Sequence, residues 1–295
     1  SFMLFYFLLF DPLRYYRTKK VLIGMAALLV SVTMFGVEVH GSNNNIIEVE
    51  QVRVNGTTDS TIKYVFLDGA MSFGDSGFSL GYHVAKKENS GNWDLNIIEI
   101  YPRYTFKSIN GWTPGIELGY KSETMAFSDG TGGDNEKIKV RPWISGNITD
   151  TIGLYSEFVY EGGINNKFAL YELNIEPSFK LTDSTKVGFG LKYGEEFKGD
   201  TGDKNFDKYF GKLFVNKTIN TDWSAWGVVE YEHLKVTNGE KVTSIKPIAG
   251  ASYKITDNAN VFGEVSYKFG TKKSVDGTKE NARIPFFKVG VGYSW

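Results

Sequence analysis

The chain has 295 residues and no cysteine, with 41% hydrophobic and 23% charged residues. Beyond the N-terminal region no run of about 18 apolar residues occurs, which excludes a helical membrane protein for most of the chain. The net charge of −1 gives no reason to expect a nucleic-acid partner, while 15% aromatic residues and 33 glycines beside 7 prolines favour strands and tight turns.

The N-terminus resembles an export signal. Two lysines at 19–20 precede an apolar stretch over residues 21–35, and Val39-His40-Gly41 offers a small-residue cleavage site. Basic, then apolar, then small is the order of a secretory signal peptide, and a signal anchor is the alternative. We therefore predict three segments: an upstream extension (1–18), a signal peptide (19–41) and one barrel domain (42–295).

From residue 46 onward the hydrophobic pattern has period two. Near the C-terminus, Phe287, Val289 and Val291 fall on one face, whereas Lys288 and Gly290 fall on the other. Alternation over about 10 residues with aromatic ends is typical of a strand between lipid and water. Fourteen such runs occur, near residues 46–54, 61–68, 77–86, 93–106, 114–122, 137–148, 151–161, 167–181, 186–196, 207–217, 223–236, 243–255, 260–269 and 283–295.

The predicted connections are of two kinds. Four short turns share a Thr-Asp or closely related ending, at residues 147–150, 180–183, 219–222 and 254–257. Their Asp and Asn side chains are expected to cap the turns by bonding nearby backbone. Longer polar loops are predicted at 122–136, 198–206 and 270–282. Short turns at one end and long loops at the other are typical of outer-membrane barrels.

These elements predict an all-β fold, a transmembrane antiparallel up-and-down β-barrel of about 14 strands, with 12 or 16 as alternatives. An even count allows the first and last strands to meet without leaving an open edge. A soluble β-sandwich also has hairpins, but it does not need aromatic-rich outer faces on nearly every strand.

The polar faces of the strands would line a lumen. Acidic positions near Glu157 and Glu172 and basic positions near Lys192 and Lys212 suggest facing sectors of opposite sign, whose near balance predicts weak ion selectivity. Inward glycines such as Gly188 would leave room for water. The predicted pore-lining residues are Glu99, Arg103, Glu117, Lys121, Lys139, Arg141, Glu157, Glu172, Glu176, Lys192, Lys212, Glu230, Lys246, Glu264, Lys268 and Lys288; the inward positions also include Lys63, and the inward glycines include Gly190, Gly250, Gly290 and Gly292.

Three stretches carry a resemblance to a known family: residues 139–150, residues 179–189 and the C-terminal residues 289–295. With them, residues 60–295 resemble, at the level of hairpins, the monomeric outer-membrane porin G (OmpG) family of enterobacteria. The resemblance implies a fourteen-strand, single-chain, poorly selective pore. The ending at Trp295 resembles the signal read by the barrel-assembly machinery.

The sequence departs from that family at its gate. In the family, a long loop and a pair of histidines on adjacent strands close the pore. Here His83 and His233 fall on distant predicted strands, and the corresponding loop at 237–242 is short. Closure by a histidine pair is therefore not expected.

The sequence contains no motif for catalysis or for metal binding. A serine hydrolase needs a base beside its nucleophile and a group that orients the base, and no local pattern supplies them. We expect no enzyme activity, no cofactor and no metal site.

The sequence thus predicts an outer-membrane porin for passive diffusion of small hydrophilic solutes and ions. One alternative is a channel that prefers acidic oligosaccharides, guided by Arg103, Lys121, Lys139 and Arg141; another is a non-conducting surface or adhesive barrel. The expected partners are small solutes or sugars, outer-membrane lipid and lipopolysaccharide, and the assembly machinery through Trp295. We expect no nucleic-acid partner and a monomer in the bacterial outer membrane.

Overall fold

The computed structural model describes residues 38–90 and 92–295, and every regular secondary-structure element in this range is a β-strand. The fourteen strands are β1 (Val39–Val54), β2 (Thr57–Phe73), β3 (Phe78–Asn89), β4 (Trp93–Thr105), β5 (Trp112–Phe127), β6 (Gly132–Asn147), β7 (Ile152–Gly163), β8 (Ala169–Thr182), β9 (Thr185–Phe197), β10 (Lys204–Thr218), β11 (Trp223–Val236), β12 (Lys241–Thr256), β13 (Ala259–Lys273) and β14 (Lys279–Ser294). The predicted all-β fold and the count of fourteen are confirmed.

The strands form one closed antiparallel barrel. Each strand pairs with its neighbours in the chain, and β1 pairs with β14 to close the ring. At this seam Gly41 and Trp295 exchange two backbone hydrogen bonds of 3.1 and 3.0 Å. Closure leaves no strand with an unpaired edge, as a membrane-spanning sheet requires.

The closing seam includes the end of the predicted signal peptide. The extension over residues 1–18 and nearly all of the signal peptide over 19–41 lie outside the described residues. The last part of that peptide, Val39-His40-Gly41, forms the start of β1. The predicted cleavage site therefore lies within the strand that bonds Trp295, and processing there stays a prediction.

The outer face carries an apolar band. Alternate residues of the strands project exposed aliphatic side chains outward, among them Leu118, Ile138, Leu173, Leu191, Leu213, Val229, Ile245, Val265 and Val289. Exposed aromatic residues flank them, including Tyr171, Tyr193 and Tyr209 towards the loop end and Trp223, Tyr253 and Tyr293 towards the termini. An apolar band between aromatic girdles matches the two interfaces of a bilayer. A small buried apolar cluster of Met71, Phe73 and Leu80 lies by the β2–β3 turn.

Two of the predicted long loops, 122–136 and 270–282, are wrong, and the third, 198–206, is three residues shorter than predicted. The three connections are residues 128–131, 198–203 and 274–278, because the flanking strands continue through the polar segments. Polar residues in these extensions bond each other across the strands: Thr124 donates to Asp134 (2.7 Å) and Thr271 to Asn281 (3.2 Å). Backbone pairing does not depend on apolar side chains, so the barrel wall rises beyond the apolar band.

The four predicted short turns lie at the same end as the two termini. In two of these turns the expected Asp cap is wrong. Asp183 contacts Lys180 (2.7 Å) and Asp257 contacts Lys254 (2.6 Å), and neither carboxylate bonds the backbone of its turn. These lysines hold the pKa of Asp183 and Asp257 below the usual range, through a hydrogen bond and their charge. The backbone N–H groups bond Thr hydroxyls instead and, in the third turn, Asn220.

At the other end, the β1–β2 hairpin turns through Asn55-Gly56, with φ of 49° and 87°. Asn and Gly tolerate this left-handed backbone, which the tight hairpin requires. In the described part of the chain, no helix has the length and apolar character needed to cross a membrane.

Candidate pore lining

All the predicted pore-lining residues lie on the inner face of the barrel. The register fixes this: Arg103 lies opposite Glu117, and Glu117 lies opposite Arg141, whereas their chain neighbours point outward. The strands place the charges on one surface because side chains alternate with period two. Lys63 is the exception among the inward assignments, since it lies opposite the outward Val49, and that assignment is wrong.

Glu117 is the centre of the largest charge cluster. It is 1% exposed, and its Oε2 accepts hydrogen bonds from Arg103 (2.7 Å) and Arg141 (2.5 Å). Lys139 approaches Oε1 at 3.6 Å. Three cations from β4 and β6 therefore converge on one carboxylate of β5. A buried carboxylate needs such partners, because burial of an unpaired charge is costly.

The cluster continues onto the neighbouring strands. Lys139 also contacts Glu99, and Arg141 Nε lies 3.8 Å from Glu157 Oε2. Glu157 in turn accepts a hydrogen bond of 2.6 Å from the hydroxyl of Tyr155. The inner wall from β4 to β7 thus carries one connected network, in which carboxylates and cations alternate.

A second set of charges lies towards the loop end, and of its members only Lys121 was among the predicted pore-lining residues. Lys137 contacts Glu123 (2.9 Å) and Glu161 (3.3 Å), and Lys121 also contacts Glu123 (2.6 Å). The signal was present in the sequence, because Lys137 has the same parity as Lys139 and Arg141. Glu123 was missed because residues 122–136 have the composition of a loop, whereas Lys137 and Glu161 lie at the ends of predicted strands.

On the other side of the barrel two ion pairs stand apart and two are joined through Lys208. Four lysines of β9, β10, β13 and β14 each contact a carboxylate: Lys192 with Glu172 (3.1 Å), Lys212 with Glu176 (2.6 Å), Lys268 with Glu232 (3.3 Å) and Lys288 with Glu264 (3.1 Å). Lys208 lies 3.6 Å from Glu172 and 3.7 Å from Glu232, and it therefore joins the first and third of these pairs. Glu232 shares the inward parity of the predicted Glu230. The expected facing sectors of opposite sign are therefore wrong, because each part of the wall contains both acidic and basic side chains, which neutralise each other.

Two predicted residues have other surroundings. The ammonium of Lys246 lies 4.2 Å from the centre of the Phe286 ring, a cation–π contact. Glu230 lies opposite Lys212 on one neighbouring strand and Lys246 on the other.

Side chains from neighbouring strands pack over the inward glycines. Trp226 lies over Gly250, Phe214 over Gly188 and Phe262 over Gly290, so that a Cβ on these glycines would meet a ring at 2.2–2.3 Å. The remaining two, Gly190 and Gly292, lie against Lys212 and Asn260. The expectation that these glycines leave room for water is therefore wrong, because neighbouring residues fill the space.

Two glycines allow ion pairs to span two strands. The side chain of Lys212 crosses Gly190 of β9 to reach Glu176 on β8, with its Cε 2.8 Å from the ideal Cβ position. Lys139 likewise crosses Gly119 of β5 to reach Glu99 on β4. A larger residue at either position would block the pair.

The two predicted strand histidines are far apart. His83 on β3 faces inward and contacts Asp68, and the Tyr64 hydroxyl lies 3.1 Å from its Nε2. His233 on β11 faces outward and lies 3.0 Å from the Thr243 hydroxyl. The loop after β11 spans only residues 237–240. Among residues 38–90 and 92–295, no group of three acidic or histidine side chains forms a metal site.

A cavity of about 800 Å³ opens at the turn end of the barrel. Its lining joins the turns to the inner wall and includes Ser145, Tyr155, Glu176, Lys180 and Trp226. It forms a polar vestibule beside the ion pairs of β8 and β10.

Comparisons with known proteins bear on the fold. No protein-family model matches the sequence, and no curated protein matches it. Several solved structures are similar. The CymD monoaromatic hydrocarbon channel has a TM-score of 0.57 at 12% identity, covering 87% of this chain and 88% of CymD. The toluene transporter TodX of Pseudomonas putida has a TM-score of 0.56 at 9% identity, covering 87% and 89%.

A third similar structure is OmpT, an outer-membrane protein of Vibrio cholerae. Its TM-score is 0.50 at 11% identity, and the alignment covers 88% of this chain and 97% of OmpT. At such identities the likeness shows the fold, a closed barrel of the outer-membrane type.

Proposed function

We propose that the chain is an outer-membrane channel through which small hydrophilic solutes and ions diffuse. The observation that carries the proposal is the inner wall of ion pairs that remain accessible. The side chains of Lys192, Lys212 and Lys288 are 26%, 29% and 25% exposed inside the closed ring. Charges on a sealed interior would be costly, whereas a water-filled lumen accommodates them.

The location follows from the outer surface. An exposed apolar band with aromatic girdles requires a bilayer, and bacterial barrels of this kind lie in the outer membrane. The similar solved structures include an outer-membrane protein, which supports the same location. We propose a monomer, as the resemblance to the porin G family implies, and recognition of the Trp295 end by the barrel-assembly machinery.

The pairing of the charges supports the proposal of weak selectivity. A strong preference for one sign needs a ring of like charge, whereas each lysine or arginine of the Glu117 cluster contacts a carboxylate. A hydrocarbon substrate would need an apolar passage, whereas the inner wall of this barrel is charged. The proposal therefore does not include the substrates of CymD or TodX. The loops, two to six residues long, offer little surface for an adhesive role.

Purified protein in a planar lipid bilayer tests the proposal. We expect discrete conductance steps at neutral pH, with a small reversal potential under a salt gradient. Repeated insertions without conductance would contradict the channel. A folded barrel that migrates differently before and after boiling serves as the control for correct insertion.

A second candidate, a channel that prefers acidic oligosaccharides, is favoured by one observation. Arg103 and Arg141 share a single carboxylate oxygen of Glu117, which leaves donors of both guanidinium groups for a ligand carboxylate. Against it, Lys121 and Lys139 each contact a glutamate of their own. Flux of a charged and a neutral oligosaccharide of equal length separates the two functions.

A further inference from the structure

A patch of cations lies on the outer face at the loop end of the barrel. Its members project outward because they share parity with apolar residues of the outer band, as Lys273 does with Phe269 and Arg283 with Phe287. All are exposed. This basic outer patch consists of Lys235 (β11), Lys241 (β12), Lys273 (β13), Lys279 and Arg283 (β14) and Arg53 (β1).

The register places these cations directly against one another. Lys235 lies opposite Lys241, Lys241 opposite Lys273, and Lys273 opposite Lys279. Arg53 lies opposite Arg283 across the closing seam. Like charges directly opposite each other on antiparallel strands are destabilising. The arrangement therefore needs an anion to offset the repulsion.

The protein does not supply that anion. In the described part of the chain, none of the six cations forms an ion pair, and Arg53 bonds only the amide oxygen of Gln51 (2.6 Å). Asp207 lies opposite Lys235, but its carboxylate contacts Lys204 (2.6 Å) and accepts a hydrogen bond from Tyr193 (3.1 Å).

Other outward lysines at this end do have carboxylate partners. Lys86 on β3 contacts Glu88, and Lys204 on β10 contacts Glu195 at 2.8 Å as well as Asp207. Carboxylate partners are thus present for these outward lysines and absent from the patch.

The patch lies at the level of lipid headgroups. Lys273, Lys235 and Lys241 are each four residues beyond an exposed apolar residue, which are Phe269, Tyr231 and Ile245. Four residues span about 13 Å along a strand, enough to pass from the hydrocarbon edge into the headgroup layer. The patch lies at the end opposite the termini and the four Thr-Asp turns. Short turns of bacterial barrels are periplasmic, so this end is assigned to the outer leaflet.

We propose that the basic outer patch binds the phosphate groups of an outer-leaflet glycolipid, whose acyl chains pack on the apolar band of β11–β14. Phosphate oxygens accept charge-assisted hydrogen bonds from lysine and arginine, and several phosphates on one glycolipid match several cations in a row. This inference rests on the outer-membrane location proposed above.

Lipid retention in detergent tests the proposal. The full-length barrel is mixed with a bisphosphorylated glycolipid or with its dephosphorylated form, and bound lipid is counted by native mass spectrometry. We expect the wild type to retain the phosphorylated form alone. Lys241→Gln with Lys273→Gln should weaken retention about 30-fold, from about 1 kcal/mol per cation and a tenfold change per 1.4 kcal/mol.

A matched control removes the same charge elsewhere. Lys86→Gln with Lys204→Gln takes two outward lysines from other strands and should leave retention within about twofold. Thermal stability gives a second readout of opposite sign. Without lipid, the Lys241/Lys273 variant should be at least as stable as the wild type because repulsion is relieved, whereas with phosphorylated glycolipid the wild type should be the more stable.

Equal retention by the wild type and the Lys241/Lys273 variant would overturn the proposal, as would equal retention of the phosphorylated and dephosphorylated lipids. Single-channel conductance separates this failure from failure of the channel function. The patch lies outside the lumen, so both variants should conduct as the wild type does, whatever lipid they retain.

Discussion

The two sides of the inner wall use the same residue types in different ways. From β4 to β7, carboxylates and cations share partners in one connected network centred on Glu117, which is 1% exposed. From β8 to β14 two pairs are joined through Lys208 and two stand apart, and their carboxylates are 13–24% exposed. The two sides therefore differ in the burial of the central carboxylate and in the number of cations that converge on it.

This difference divides structural from electrostatic roles. Loss of the Glu117 charge would leave Arg103 without an ion pair and would take one of two carboxylates from Lys139 and from Arg141. An exposed pair contributes little to stability because water and salt screen it, yet its charges still act on passing ions. We therefore expect the β4–β7 side to control stability and the β8–β14 side to tune the field in the lumen.

The largest expected effect is that of Glu117→Gln. It removes the only negative charge shared by Arg103, Lys139 and Arg141, and loss of one partner from a buried cluster costs about 3 kcal/mol or more. The temperature at which the folded gel band disappears should fall markedly, and the reversal potential should shift towards anions. Glu176→Gln, which removes the 24% exposed carboxylate of a separate pair with Lys212, is the control and should change stability far less.

If both variants unfold at the same temperature, the division between the two sides is wrong. A shift in reversal potential for Glu117→Gln without loss of stability would place this residue among the electrostatic ones instead.

The next effect concerns the cations. Arg103→Glu with Arg141→Glu should reduce the flux of anionic oligosaccharides more than that of neutral ones if the acidic-sugar candidate holds. The matched variant Lys192→Glu with Lys212→Glu reverses the same charge on the other side of the wall. A general pore predicts similar losses for the two variants, while equal loss of anionic and neutral flux in the arginine variant would remove the acidic-sugar candidate.

The inner face was predictable because alternation alone fixes parity. Once Phe287 and Val289 are placed outward, Lys288 must point inward, whatever the register. Lys63 was misplaced because the alternation of the first three predicted runs was the least regular. The strand ends were also missed, since polar extensions such as those flanking residues 128–131 have the composition of loops but still pair through backbone.

The partners of the charges were not predictable. Lys139 reaches Glu99 two strands away, across Gly119, and this contact depends on the shear of the barrel as well as on parity. The same holds for Lys212, Gly190 and Glu176. From the sequence alone, an inward glycine predicts empty space in the lumen. Only the strand register identifies the side chain that occupies this space.

The smallest expected effect extends the comparison to pairs that are fully exposed. Lys180 lowers the pKa of Asp183 at a turn outside the bilayer, so this pair can stabilise the fold only above the ordinary Asp pKa. The contribution is lost as the pH falls through the lowered pKa, below about pH 4. Asp183→Asn should therefore leave the unfolding temperature nearly unchanged at pH 7 and unchanged at pH 3.

Asp150→Asn is the matched control, because Asp150 ends the same turn motif without an ion pair in the described residues. A loss of stability for Asp183→Asn at pH 7 that rivals the loss for Glu117→Gln would show that exposure does not separate the structural pairs from the others. The role of Glu117 would then have to come from its three shared partners rather than from its burial.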